Sequence, residues 1–415
     1  MVGQRNKACG VDVHKNTIMA TILSQDGTKI QEDFQTTISE LLRFREWLID
    51  NSCEVVAMES TGTYWIPVYS VLEGSFEVIV ANPYMVKHIP GRKTDVLDSE
   101  WLAVLCLKDL IKRSRIFLKE DRELRRLTRS YEALVKIRTQ LKNEIHRELA
   151  SSHIKLSSVV ADIFGKSGIH ILKGLLDGQA IDDIIKGIPS GRVRKKGGQI
   201  KEAIHNNLEI TQILLIESSL DLIAKIREKI DEIRNEIEAR IKFRQDDLEI
   251  AISVPGIDFL SASTILAEIG DYRDFNTPEQ LASYFGLVPF VNQSGTKQRN
   301  GCITKHGSKH LRRILVQVAH AASKKIGSKL RKFYLRIRAK KGANVAIIAL
   351  ARKILCILHH LLTKGELYEE DGIERSKPIT LDRTSSPREM TVQEMIDVIR
   401  QSGYTITKID QGACG

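Results

Sequence analysis

Ala8-Cys9-Gly10-Val11-Asp12-Val13-His14-Lys15, continuing through Asn16-Thr17-Ile18-Met19-Ala20-Thr21-Ile22-Leu23, is the stretch that decides the fold. It is dense in apolar and β-branched residues, so residues 8–23 read as strand. Gln25-Asp26-Gly27 marks a turn, and residues 29–37 read as a second strand. Leu41, Leu42, Phe44, Trp47 and Leu48 then recur at helical spacing. Short apolar runs at 54–58 and 77–81 suit a mixed sheet, and a further helix is expected from Thr94 toward Leu110. Residues 1–115 are therefore expected to form an α/β domain. Inside the opening strand Asp12 stands between Val11 and Val13, and alternation places it on the face opposite to theirs.

Outward from this domain the pattern becomes helical. Leu124, Leu127, Tyr131, Leu134, Leu141 and Ile145 form one stripe. Ile213, Ile216, Leu220, Ile223, Ile226, Ile230, Ile233, Ile237 and Ile241 form another. Two such stripes over 116–247 predict a helical hairpin or a dimerising coiled coil, with a less regular insert between them. The insert holds a Gly- and Lys/Arg-rich piece, 187–198, that reads equally as a nucleic-acid contact or a plain connector. From 248 to 365 a mostly helical domain is expected. Val254-Pro255-Gly256-Ile257, with the apolar residues after it and Ile269-Gly270-Asp271, resembles a helix-hairpin-helix, although Asp258 stands where a second glycine is usual. Residues 366–415 read as a polar tail.

Composition narrows the class. Among 415 residues 42% are hydrophobic, enough for a sizeable core. The polar, basic start does not look like a signal peptide, and the apolar run at 343–362 is broken by Arg352, Lys353 and two histidines, so it reads as a buried helix and no membrane partner is expected. Six cysteines without a CxxC pair argue against a zinc ribbon or a disulfide scaffold and fit a reducing prokaryotic cytoplasm. The net charge is +11, yet residues 280–365 contain 18 Lys and Arg and no acid, which leaves the remainder at −7. So long an acid-free block repels itself unless a polyanion neutralises it, which points to nucleic acid.

Four acids of the first domain invite a second reading. Asp12 lies mid-strand, Glu59 closes the run Val55-Val56-Ala57-Met58, and Asp95 and Asp98 share a face at a helix start. Singly, Asp95 or Asp98 would be a first-turn acid and Glu59 a strand-end surface residue. Together, carboxylates at strand ends and on an adjacent helix can share Mg²⁺, with Mn²⁺ able to substitute, and two such ions would clamp the attacking and leaving oxygens of a phosphodiester.

Gly10-Val11-Asp12-Val13-His14-Lys15, Met58-Glu59-Ser60-Thr61-Gly62 and Lys93-Thr94-Asp95-Val96-Leu97-Asp98 resemble the DEDD tetrad of the IS110 family of transposases, a pattern shared by pilin-gene invertases. The resemblance continues through Tyr284-Phe285-Gly286-Leu287-Val288-Pro289, Gln293-Ser294-Gly295-Thr296-Lys297, Gly301-Cys302-Ile303-Thr304-Lys305-His306-Gly307 and Leu311-Arg312-Arg313-Ile314-Leu315. It implies a RuvC-like, ribonuclease-H-type first domain with Asp12, Glu59, Asp95 and Asp98 as metal ligands. It implies also a serine nucleophile in the late domain, which maps to Ser294. Many relatives carry two serines there; here Gln293 precedes the single one. The expected chemistry is transposition: attack by serine on double-stranded donor and target DNA, a covalent phosphoserine link, and religation. An element-encoded structured guide RNA and a homo-oligomer, dimer or tetramer, are implied as partners.

On local grounds a serine before a glycine is usually a turn residue. A free hydroxyl needs activation, however, and Ser294 is expected in a polar loop over 292–301 with Lys297, Arg299 and Lys305 near in sequence to bind phosphate. Arg312 and Arg313 are expected to contact phosphate as well. The alternatives are a Holliday-junction-type metal-dependent nuclease with water as nucleophile, a DNA invertase, and a non-catalytic nucleic-acid-binding protein.

Overall fold

The computed structural model describes residues 5–370 except 61, 84, 85, 87, 88, 90–97, 206, 295 and 296, and describes backbone alone for 291–294 and 297–300. Two compact units emerge, and neither is contiguous in sequence. Unit 1 holds residues 1–245 and 262–274; unit 2 holds 246–261 and 275–415.

Unit 1 begins with a five-stranded mixed sheet in the order β3-β2-β1-β4-β5. The opening stretch is two strands, not one: β1 (Lys7–Val13) and β2 (Thr17–Ser24) pair antiparallel around the polar His14-Lys15-Asn16 break. β3 (Lys29–Gln35) extends the antiparallel side, while β4 (Val55–Glu59) and β5 (Glu77–Ala81) run parallel to β1. Alternation divides the sheet between two cores. Cys9, Val11, Val13, Val56, Met58 and Val80 share a core with Leu41, Phe44 and Leu48 of α1 (Ile38–Asp50) and Val68 and Leu72 of α2 (Trp65–Leu72). Ala8, Val55, Ala57, Ile79 and Ala81 share the other with Leu102, Leu105 and Cys106 of α3 (Asp98–Leu107). Each fully buried Val, Leu or Ile contributes roughly 1.5–3 kcal/mol. An α/β head followed by a mostly helical remainder matches the expected class.

The two long stripes form helices α4 (Lys119–Ser151) and α9 (Ile210–Arg240). They pair antiparallel within the chain. Ser152 Oγ donates to Gln212 at one end, and Arg240 meets Glu123 at the other. The heptad residues Ile216, Ile223, Ile230 and Ile237 are buried along this seam. Between them the insert is an ordered helical module. It comprises α5 (Lys166–Leu176), α6 (Ile181–Gly187), α7 (Gly191–Arg194) and α8 (Gly197–Ala203), and its core includes Ile171, Leu172, Ile184 and Ile200.

In unit 2, α10 (Gln245–Ser253) leads through the Val254-Pro255-Gly256 turn into α11 (Phe259–Ile269), whose later residues return to unit 1. There Glu268, fully buried, receives Arg125 at 3.1 Å and bonds from Arg129 at 2.6 and 3.0 Å, while Arg244 donates to the carbonyls of Leu266 and Gly270. Arg244 thus serves carbonyls at the C-terminal end of α11, while Arg125 and Arg129 neutralise the buried carboxylate. The core of unit 2 is α15 (Ala343–Lys364), against which α12 (Pro278–Tyr284), α13 (Lys309–Lys324) and α14 (Lys329–Lys341) pack. α15 is long and apolar enough to cross a membrane, but 56% of its most apolar window is buried inside the protein, as expected for a core helix.

Candidate active site

The register of the parallel strands gathers the acids. Val11 of β1 stands opposite Met58 of β4, so the next row carries Asp12 and Glu59 on neighbouring strands. Both share parity with the positions facing α3, not with the valines of the other core. α3 crosses this face at Gly10, two residues before Asp12. A Cβ on Gly10 would overlap the Ser99 carbonyl oxygen and the Ala103 amide nitrogen, so only glycine lets the helix lie this close. Buried Ser99 then ties the helix to the sheet through its hydroxyl, 2.8 Å from that of Thr21. Asp98 is the residue before Ser99 and the first of α3. Asp98 therefore starts the helix that crosses the face whose parity Asp12 and Glu59 share.

Asp12 is one-third exposed and meets the His14 Nε2 at 3.1 Å; Glu59 is half-buried and Asp98 exposed. Asp95 lies outside the described residues. Among the described residues no three His, Cys, Asp or Glu already close into a cage that would hold a metal ion. The donors are nevertheless hard oxygens at a half-open edge. That suits Mg²⁺, which keeps several waters and takes few carboxylates, better than a metal needing a complete protein shell.

Gly10→Ala is expected to lower stability by about 1–3 kcal/mol or more, because the obstructing atoms are backbone and the helix must shift. Thermal unfolding measures it. A melting temperature equal to that of the parent would show that α3 does not depend on this contact.

Residues 292–301, expected as a loop, are most of an antiparallel hairpin. β6 (Pro289–Ser294) pairs with β7 (Lys297–Ile303), with Ser294 opposite Lys297 and Asn292 opposite Arg299. Ser294 is the last residue of β6, and by alternation positions 292, 294, 297 and 299 belong to one face of the ribbon. The polar composition hid the strands, since no apolar alternation marks them. The hairpin base is closely packed. Gly286 and Gly307 both adopt positive φ, 68° and 67°, and a Cβ on either would strike backbone of the other's segment.

Arg312 also has partners within the protein. Its guanidinium donates to the carbonyls of Phe285, His306 and Gly307, closing the same junction, and burial lowers its pKa. Arg313 is exposed, with a bond to Gln317 at 3.3 Å, and Lys305 is exposed in a left-handed conformation. Asp258 accepts from the Ser261 amide at 2.8 Å, so the acid that displaces the usual glycine serves as a helix cap. Gly10, Thr21, Ser99, Gly286 and Gly307 were not singled out as individual residues in the sequence reading. The signal for Gly10 was a glycine inside an otherwise well-formed strand.

Known proteins match in the same two regions. A family model described as the transposase IS116/IS110/IS902 family matches residues 248–335, and a DEDD-type transposase model matches residues 9–154. A probable family 20 transposase of Pseudomonas aeruginosa is 25% identical over 76% of this chain and 85% of its own length. The transposase for insertion sequence element IS1328 of Yersinia enterocolitica is 21% identical over 87% of this chain and 98% of its own length. A pilin gene-inverting protein of Moraxella bovis is 32% identical over 28% of this chain and 37% of its own.

Proposed function

The chain belongs to the IS110 family of transposases and is a DNA transposase or recombinase, and from that premise we propose that it cuts and rejoins DNA with two chemically distinct sites, a carboxylate metal site in unit 1 and a serine nucleophile in unit 2. The observation that carries the first half is the row Asp12–Glu59, with the helix that Asp98 begins crossing the face of the same parity at Gly10. The sheet order, an antiparallel trio followed by two parallel strands, supports a RuvC-like, ribonuclease-H-type head. The head corresponds to residues 1–115, the paired helices and insert to 116–247, the basic domain to 248–365 and the tail to 366–415. Asp12, Glu59, Asp95 and Asp98 would hold Mg²⁺, which when bound supplies charge neutralisation at the scissile phosphate.

Ser294 at the hairpin tip would attack the phosphorus. The Oγ–P bond forms as the P–O bond to the leaving nucleoside breaks; the serine proton passes to solvent and the leaving oxygen takes one up. One ester replaces another, so religation by the reverse step needs no external energy. Lys297 and Arg299 share its face of the ribbon and, with Lys305 and Arg313, would bind the phosphate backbone; Arg312 would act by fixing the hairpin base. The α10–turn–α11 segment, with Gly256 at φ 92°, would serve as a helix-hairpin-helix contact to phosphate. Double-stranded donor and target DNA, an element-encoded guide RNA and further copies of the chain complete the proposed assembly, working in the cytoplasm.

The test is a denaturing gel of the protein incubated with Mg²⁺ and duplex carrying the ends of its element. A covalent protein–DNA adduct mapping to Ser294 is expected. Free 5′-phosphate and 3′-hydroxyl ends without any adduct would replace this reading with a hydrolytic nuclease.

A further inference from the structure

Helix α14 has the sequence Lys329-Leu330-Arg331-Lys332-Phe333-Tyr334-Leu335-Arg336-Ile337-Arg338-Ala339-Lys340-Lys341: seven basic residues of thirteen, and no acid. Its packing is one-sided. Leu330 alone is buried; Phe333, Tyr334 and Ile337 on the same side are half-buried. Ser328 caps its N-terminus, accepting from the Leu330 amide at 3.0 Å, and Glu370 accepts from the Lys329 amide at 3.0 Å. These local bonds hold a helix whose charges oppose it. Arg331 and Lys332 stand in the first turns, where the macrodipole disfavours cations, and the pairs Lys332–Arg336 and Arg336–Lys340 are like charges four apart. None of Lys332, Arg336, Arg338, Lys340 and Lys341 enters an ion pair among the described residues; Arg336 lies 5.5 Å from the Phe333 ring.

The exposed side has a definite pattern. At 3.6 residues per turn Leu335 and Ala339 form its centre line. Lys332 and Arg336 border one side and Arg331 and Arg338 the other. Leu335 is 43% exposed, and the borders are exposed except for the half-buried Arg331, which also donates to the Lys324 carbonyl at 3.0 Å. A small apolar ridge between two rows of cations fits a groove with phosphates on both walls. Thirteen residues span about 20 Å, and the B-form major groove, about 12 Å wide, admits a helix. The A-form major groove of duplex RNA is too deep and narrow to do so.

We infer that α14 is a major-groove-binding helix for duplex DNA, gripping the two phosphate walls through Lys332 and Arg336 on one side and Arg331 and Arg338 on the other. This rests on the proposed nucleic-acid function of unit 2, and adds a recognition element apart from the Ser294 hairpin. Leu335 and Ala339 face the base edges, where apolar contact suits thymine methyl groups.

The experiment compares the full-length chain with the variant Lys332→Ala, Arg336→Ala, Arg338→Ala by fluorescence anisotropy on a short DNA duplex across a salt series. Circular dichroism checks that helix content is kept, and Lys229→Ala on α9 is the surface-charge control. The slope of log affinity against log salt is expected to fall by about 0.9 per lost phosphate contact, hence by about 2–3, with affinity down at least about tenfold at physiological salt. Leu335→Glu, which changes only the centre line, is expected to weaken binding too. Unchanged affinity and slope in the triple variant, with the parent binding well, overturns α14 and leaves the wider reading intact. A parent that fails to bind any duplex overturns both. A loss confined to duplex RNA of the same sequence overturns the choice of DNA.

Discussion

Ser294→Ala retains DNA binding and loses strand cleavage by a factor of a thousand or more, on the order seen when a covalent nucleophile is removed. The residue is the last of β6, and removing its hydroxyl leaves a Cβ that strand backbone accepts without a change of register. Little loss of stability is therefore expected, and the loss should lie in the chemical step. The measurement is the single-turnover rate of cleavage of an end-labelled duplex beside its binding isotherm. Cleavage at the parental rate would mean that water attacks and that Ser294 is a turn residue. Ser294→Cys separates position from hydroxyl chemistry: a thiolate can attack phosphorus but makes a poor phosphoryl ester, so weak cleavage with little religation is the expected product.

Asp12→Asn is the second large effect, at least about a hundredfold in cleavage, because an amide keeps the shape of the carboxylate but not its charge toward a divalent cation. The substitution also removes the charge that His14 meets at 3.1 Å, though the amide oxygen can still accept, and both side chains are substantially solvated, so stability should change little. Chelation should reduce the parent to the level of the variant, and added Mg²⁺ or Mn²⁺ should restore the parent alone. A variant that cleaves normally under Mg²⁺ would remove Asp12 from the metal site.

The two effects depend on parts of the chain that differed in how plainly they could be read. The β-rich opening was legible from its density of apolar and β-branched residues, and the isoleucine stripes from a period of 3.5 to 3.6 that recurs over enough residues to stand out. The turn at His14-Lys15-Asn16 was not, since three polar residues between apolar runs carry no glycine or proline to mark a hairpin. The hairpin bearing Ser294 reads as loop in the sequence because its residues are polar and show no apolar alternation, while the strands pair across Ser294–Lys297 and Asn292–Arg299. The nearness of Glu59 to Asp12 follows from a parallel register spanning 47 residues, which no local pattern encodes. The close approach of the helix that Asp98 begins depends on Gly10, whose role is to present nothing at all. Arg312 has a structural part that its charge alone does not announce: it donates to backbone carbonyls at the base of the hairpin.

The discontinuous division of the chain has a consequence for biosynthesis. As the polypeptide leaves the ribosome, α4 emerges with Arg125 and Arg129, but the carboxylate that neutralises them, Glu268, follows about 140 residues later. Until 262–274 has been translated, the first unit lacks a segment of its own interior, and the intervening 246–261 already belongs to the second. Neither unit can mature as an N-terminal domain finished before the next begins, the usual order for multidomain chains. A ribosome stalled before residue 262 would therefore hold a head whose sheet is complete but whose arginines face water, and such nascent chains should be more open to proteases than those only a few dozen residues longer.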